Sequence, residues 1–178
     1  AAEYTVSALA EDIKKNYKDE DDKKVEVTIA GRIMSRRVMG KASFAEIQDS
    51  TGRIQVYISR DEICPDDNKD LYNVVFKKLL DIGDFVGVKG FVFKTQTGEI
   101  SVHAATLTVL SKSLKPLPIV KYKDGVAYDS FDDAEQRYRQ RYVDLVVNEG
   151  VKDIFIKRTK VFNAMRNFFN QRGYLEVD

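Results

Sequence analysis

Between Ile29 and Tyr57, Phe44, Gln55 and the arginines Arg32, Arg36 and Arg37 stand where an ordinary solvated sheet would carry Lys, Glu and Thr. Phe44 lies in Ala42-Ser43-Phe44-Ala45-Glu46-Ile47-Gln48, whose apolar phase is Ala45 and Ile47, so alternation sets the ring on the polar face with Glu46 and Gln48. An aromatic on such a face can stack an unpaired nucleobase, worth roughly 1 to 3 kcal/mol per base, or it can be partly buried under a loop. Gln55 falls on the polar phase of the following run with Arg53 and Tyr57. Its amide carries both a donor and an acceptor and can match the edge of uracil, which offers both; the plainer reading is a solvated amide. Arg32, Arg36 and Arg37 come just before Phe44. They are either solvated strand ends or contacts to phosphates and bases, since a guanidinium binds the former and stacks on the latter.

Three short strands must position these side chains. From Val25 the period is two: Val25, Val27, Ile29 and Ile33 share one phase, and Glu26, Thr28, Arg32 and Met34 the other. Gly31 inside this strand predicts a bend or bulge of the kind that turns barrel corners. Met39-Gly40-Lys41 predicts a turn, Ala42 to Asp49 a second strand and Asp49-Ser50-Thr51-Gly52 a hairpin, after which Ile54, Val56 and Ile58 face inward. A polar loop from Asp61 to Asn68, containing Pro65, leads to a helix expected from about Lys69 to Leu80 with Leu71, Val75 and Leu79 buried. Asp84 to Lys94 and Glu99 to Leu110 read as two more strands about the turn Gln96-Thr97-Gly98, and a slip of phase at Ala104-Ala105 predicts a bulge. Strand, strand, strand, helix, strand, strand is the order of an OB-fold. The fold class is therefore mainly β with flanking helices: a five-stranded Greek-key barrel, whose second and third strands commonly bind oligonucleotides or oligosaccharides.

The flanks read differently. Tyr4 to Tyr17 is an expected amphipathic helix, with Ser7 as N-cap and Leu9, Ile13 and Tyr17 on one side, and Lys18 to Lys24 is a charged linker. Lys115-Pro116-Leu117-Pro118 ends the barrel, and an irregular segment runs to about Asp133. Helices are expected from Asp133 to Val147 and from Val151 to Gln171, with Gly173 as C-cap. The second carries Ile154, Val161, Met165 and Phe168 on one stripe, with Phe155, Phe162 and Phe169 beside it, and so expects a further domain or a partner subunit. The expected organisation is 1–24 (helix and linker), 25–112 (barrel), 113–132 (linker) and 133–178 (the start of a second domain).

With 178 residues, 43% of them hydrophobic, the chain can build an ordinary soluble core of one or two domains. No apolar run reaches the roughly 18 residues of a membrane span and no secretory signal begins the chain, so an intracellular protein is expected. One cysteine, Cys64, excludes an internal disulfide, and with one histidine, His103, it offers no zinc cluster. His103, on the outward phase of the fifth strand with no evident carboxylate partner, reads as structural, and Cys64 as inert. A net charge of +1 excludes binding to polyanions through total charge, so any nucleic-acid contact must come from a local patch.

Gly31-Arg32-Ile33-Met34-Ser35-Arg36-Arg37-Val38-Met39-Gly40-Lys41-Ala42-Ser43-Phe44, Gly-Arg-Ile-Gln at 52 to 55, Lys-Thr-Gln-Thr-Gly-Glu at 94 to 99, Lys-Pro-Leu-Pro at 115 to 118 and Arg-Tyr-Arg-Gln-Arg-Tyr-Val-Asp-Leu at 137 to 145 together resemble the class II lysyl-tRNA synthetases. The resemblance covers nearly the whole chain and keeps the motifs in order. It implies an anticodon-binding barrel in which Phe44 stacks the central anticodon uridine, Gln55 reads an anticodon uridine, Glu99 reads a base and Arg37 contacts a base. Arg32 and Arg36 join this set as candidate contacts by position. Arg172-Gly173-Tyr174-Leu175-Glu176-Val177 resembles the opening of motif 1, which in that class builds a homodimer. Motifs 2 and 3, which hold ATP, magnesium and lysine, lie outside these residues. The implied parent enzyme is a cytoplasmic lysine-tRNA ligase acting through a lysyl-adenylate with ATP and Mg2+, while residues 1–178 alone are expected to bind neither cofactor and to be inactive. Arg137 to Asp144 is read as a connector between domains rather than an RNA-binding helix. Three rivals stay open: a sequence-tolerant single-strand binder, an aspartyl- or asparaginyl-type synthetase, and a paralogue that lysylates a translation factor. The last lacks this barrel.

Overall fold

Period-two alternation of small and branched apolar residues with polar ones is a recipe for strands buried on one face only, and a sheet of such strands can hide that face by closing on itself. The computed structural model describes residues 3–18, 24–118, 121–123, 126–128 and 131–177. The chain divides into two units, Ala1–Pro116 and Leu117–Asp178.

In the first unit β1 (Glu26–Met39), β2 (Ala42–Gln48), β3 (Arg53–Ser59), β4 (Phe85–Lys94) and β5 (Ile100–Ser111) close a barrel in the order β1-β2-β3-β5-β4. The β3–β5 pair is parallel and the others antiparallel. Ile29, Ile33, Ile47, Ile54, Val56, Ile58, Val86, Val88 and Val102 fill the interior. On β2 and β3 the alternation is unbroken: Ser43, Ala45 and Ile47, then Ile54, Val56 and Ile58, point in.

β1 departs from the expected pattern. Its bulge lies between Ile33 and Ser35 rather than at Gly31, and Met34 within it is buried. Gly31 has another task, because a Cβ there would stand 2.4 Å from the Gln48 carbonyl oxygen. At this point β1 passes from its partner β4 to its partner β2, so that Arg32 pairs with both Phe85 and Gln48. Val25, expected inside, is 52% exposed because it precedes the strand. The bulge expected in β5 is present: pairing jumps from Lys89↔Thr106 to Gly90↔Ala104 and leaves Ala105 out.

Helix α1 (Ala10–Asn16) is shorter than the expected span from Tyr4. Ser7 does not cap it; its amide donates to the Thr28 carbonyl at 2.9 Å and its hydroxyl accepts from the Thr28 amide at 2.8 Å, which keeps the segment extended against β1. The cap comes from far along the chain instead, with the Ala10 amide donating to Asp49 Oδ2 at 2.6 Å. Asp49 Oδ1 also accepts from the amides of Thr51 and Gly52 and so closes the β2–β3 hairpin. Burial pushes the Asp49 carboxyl up, but these amides and the Thr51 hydroxyl outweigh it and hold the group below the usual carboxylate range.

The loop expected after Asp61 begins with a short helix, α2 (Arg60–Ile63). The next helix, α3 (Leu71–Leu79), is wound as a π-helix, ending with the Leu80 amide on the Val75 carbonyl at 2.8 Å. Leu71 and Val75 pack partly buried against the core as expected, but the fully buried residues are Tyr72, Phe76 and Leu80, and Leu79 is left 55% exposed. Tyr72 is fixed by its hydroxyl, 2.7 Å from buried Ser43 Oγ.

In the second unit the stretch expected to be irregular contains a two-stranded ribbon, β6 (Lys121–Lys123) with β7 (Val126–Tyr128). The rest of that stretch at 119–120, 124–125 and 129–130 lies outside the described residues, as do 19–23 of the charged linker. The helix expected from Asp133 is two, α4 (Ala134–Arg139) and α5 (Arg141–Val147), broken at Gln140. Gly150, with φ near 77°, then starts α6 (Val151–Asn170), whose Ile154, Val161, Met165 and Phe168 are exposed.

Candidate nucleic-acid interface

Register brings the sequence-predicted residues together, Arg32 excepted. Phe44 pairs across β2–β3 with Tyr57 and across β1–β2 with Arg37, so the three side chains form one row on the outer face. The Phe44 and Tyr57 rings lie 5.2 Å apart at 58°, and the Arg37 guanidinium carbon is 5.6 Å from the Phe44 centroid, within cation–π range. Gln55 lies one row along, between Glu46 on β2 and Ser101 on β5. Arg36, Arg37, Phe44, Glu46, Gln55 and Glu99, with Ser35 and Ala45, line a groove of about 350 Å³. Phe44 and Gln55 are half-buried and both line this groove.

Glu99 reaches the groove from the turn before β5. That turn is built by Thr95, whose amide donates to the Glu99 carbonyl at 2.9 Å and whose hydroxyl accepts from the Glu99 amide at 3.0 Å. The carboxylate is held from outside the barrel by Lys14 of α1 at 3.2 Å. Both partners are exposed, so the pair is weak and exchangeable. It places a cation beside an anion that would otherwise repel phosphates. Glu46 has a similar partner, Arg53 Nη1 at 3.4 Å.

The three arginines of β1 separate. Arg37 is exposed and points into the groove. Arg36 touches the groove, but its Nη1 donates to the carbonyls of Phe76 and of Leu80, the latter at 2.7 Å, and so ties off the C-terminal end of α3. Arg32 lies outside the groove; its Nη1 donates to the Gly83 carbonyl at 2.8 Å and its guanidinium packs on Phe85 at 4.3 Å. Free carbonyls near a strand crossing or a helix end attract a guanidinium regardless of the face its position suggests.

Two side chains here, Lys14 and Ser101, have no local signal in the sequence. Lys14 lies 85 positions from Glu99, and only the docking of α1 joins them. Ser101 is an unremarkable serine in sequence but is fully buried behind Gln55. His103 does have a carboxylate partner, Glu62 of α2, whose Oε2 meets its Nε2. It also lies 4.8 Å from the Tyr57 ring and 4.7 Å from Phe91, continuing the aromatic row around the barrel. The period-two reading had Tyr57 and His103 facing outward, which was signal enough to find them.

The arginines of the second unit are arranged otherwise. Asp144 is fully buried and takes Arg137 Nε at 2.9 Å, Asn148 Nδ2 at 2.7 Å and the Arg141 guanidinium. Burial raises its carboxyl, but the Asn148, Arg137 and Arg141 contacts prevail and hold it below the ordinary range. The break at Gln140 rotates α5 against α4 so that Arg137 and Arg141 converge on one carboxylate. Among the described residues no group of three or more His, Cys, Asp and Glu could hold a metal ion, and no helix is long and apolar enough to cross a membrane.

Residues 27–110 match the family described as "OB-fold nucleic acid binding domain", and residues 133–178 match "tRNA synthetases class II (D, K and N)". The chain is 66% identical over 178 residues to a lysine–tRNA ligase of Azobacteroides pseudotrichonymphae, covering all of this chain and 35% of that protein. It is 66% identical over 179 residues to that of Porphyromonas gingivalis, covering 100% and 31%, and 60% identical over 167 residues to that of Christiangramia forsetii, covering 93% and 29%. The chain thus spans about a third of the length of the curated relatives it matches.

Proposed function

Because this chain belongs to the family of the lysine–tRNA ligases, we propose that its barrel recognises the U-rich anticodon of a lysine tRNA. Phe44 stacks the central uridine, Gln55 pairs with a uridine edge, Glu99 accepts from a base N–H, and Arg37 meets a base or phosphate. The observation that carries this reading is the groove itself: a half-buried aromatic, an amide, a carboxylate and an exposed guanidinium from four separate segments meet around one space of about 350 Å³. That is room for an unstacked base, and single-stranded loops are read by such stacking and edge contacts. Arg32 and Arg36 serve from behind, holding the strand crossing and the end of α3.

The whole protein, at the length of its relatives, would join lysine to that tRNA through a lysyl-adenylate with ATP and Mg2+. It would act in the cytoplasm and as a homodimer using the segment that includes α6, whose exposed Phe162, Met165, Phe168 and Phe169 suit an apolar interface. None of that chemistry is assigned to the described residues.

Competition between anticodon stem-loops of lysine and aspartate tRNAs for this chain tests the recognition reading. The lysine stem-loop is expected to displace the aspartate one at lower concentration. Equal competition by both, or by an unrelated single strand, would exclude anticodon-specific recognition and favour a sequence-tolerant binder.

A further inference from the structure

An amide side chain is an ambiguous reader. Turned over, it exchanges its acceptor for its donor, and uracil and cytosine differ by the same exchange: uracil presents N3–H and O4, cytosine N3 and N4–H. A Gln free to turn would pair with either base held in one place by stacking. Gln55 is not free.

Ser101 faces Gln55 across the parallel β3–β5 pair. It lies on the outward phase of β5, between Ile100 and inward-pointing Val102, and yet it is fully covered. Its Oγ donates to the Glu99 carbonyl at 3.3 Å and accepts from Gln55 Nε2 at 3.1 Å. A hydroxyl has one proton. While that proton stays on the Glu99 carbonyl, Ser101 offers Gln55 only lone pairs, and the amide turns its NH2 towards the serine. Reversing the amide would either set Gln55 Oε1 against the serine oxygen in a buried place or draw the serine proton away from the Glu99 carbonyl, which the Thr95 amide at 2.9 Å and the Thr95 hydroxyl at 3.2 Å also serve.

We infer that Ser101 is a positioning residue that biases the Gln55 amide towards turning Oε1 and its remaining N–H to the groove, and so makes the site favour uracil over cytosine. The inference rests on the proposed anticodon reading. Phe44 fixes where the base lies, Ser101 fixes which edge it meets, and neither does the other's work.

Titration of this chain with lysine anticodon stem-loops carrying U or C at the base that Gln55 reads tests the inference. The wild-type chain is expected to prefer U by about tenfold or more, the size of one mispaired buried edge. Ser101→Ala should reduce the preference to about threefold or less, chiefly by letting C bind better, while Ser101→Thr, which keeps the hydroxyl, restores it. A merely structural serine would lower affinity for both loops alike and leave the ratio unchanged. A full U preference in Ser101→Ala overturns the positioning role while leaving Gln55 as reader. No preference in the wild type overturns the reading of Gln55 and the inference with it. Should the alanine variant fail to fold by circular dichroism, Ser101→Cys, close to serine in volume and a poor acceptor, takes its place with the same expected loss of preference.

Discussion

Two regions of this chain concentrate arginine and aromatic residues, and they end in opposite states. On the outer face of β1–β2–β3 the polar groups are half-exposed and loosely matched: Glu99 with Lys14, Glu46 with Arg53, and Arg37 beside the Phe44 ring. At α4–α5 the arginines converge on Asp144, which is wholly buried and also takes Asn148. By composition Arg137 to Arg141 could also suit RNA, although Asp144 and the interleaved tyrosines favour a structural connector. In the structure a guanidinium spent on a buried carboxylate has little left for a phosphate, whereas exposed ion pairs worth about 0 to 1 kcal/mol exchange readily for a ligand. Availability of a charge, more than its presence, marks the interface.

The comparison can be broken most forcefully at Asp144. Asp144→Ala should destabilise the second unit by about 2 to 4 kcal/mol in chemical denaturation, because it leaves converging guanidiniums without their counter-charge. Stem-loop affinity should not change; a large loss of binding would mean that this cluster touches RNA after all. The same carboxylate gives a pH signature. Its folded pKa is depressed, so its stabilisation is fully present above its unfolded value of about 4 and is lost as pH falls through the folded value. The second unit should therefore lose stability in acid, and Asp144→Ala should flatten that dependence.

Phe44→Ala should weaken lysine stem-loop binding by roughly 1 to 3 kcal/mol in a calorimetric titration. Unchanged affinity would remove Phe44 as the stacking platform. Gln55→Ala should largely abolish a preference for U over C at the central anticodon position, a change of about 1 to 2 kcal/mol in discrimination; an equal penalty for C in both proteins sinks direct readout. The finest test separates two arginines of β1. Arg37→Ala should weaken binding by about 0.5 to 1 kcal/mol and flatten the salt dependence by roughly one phosphate contact. Arg32→Ala should leave the salt slope in place and instead lower the melting temperature of the barrel, because its guanidinium serves the Gly83 carbonyl.

Much of this was legible in the residues. Alternation gave β2 and β3 residue by residue, the side of Phe44 and Gln55, and the bulge at Ala105, because a strand with one buried face states its own register. The same reasoning misplaced the bulge in β1, since nothing local reveals that this strand changes partners near Gly31 and Arg32. On α3 it placed Leu71 and Val75 against the core correctly but missed that Leu79 is exposed and that Tyr72 and Phe76 are the most buried, because the hydrophobic pattern of an α-helix does not distinguish a π-helix whose turn is wider. The cap of α1 at Asp49 was invisible for a similar reason: the expected cap, Ser7, was local, and the true one is 39 positions away.

What the sequence determined by itself was the barrel, the exposed phase that carries Phe44 and Gln55, and the relatives the chain resembles, all of which follow from short-range periodicity and ordered motifs. What only the tertiary structure decided was which charges remain free. Arg32, Arg36 and Arg37 are alike in sequence and adjacent on one strand, and they part company because Gly83, Phe76 and Leu80 bring unpaired carbonyls to the first two and not to the third. The serine that orients Gln55 and the lysine that holds Glu99 belong to the same category. Hydrogen bonds are satisfied by whatever folding brings near, and distance along the chain places no limit on that choice.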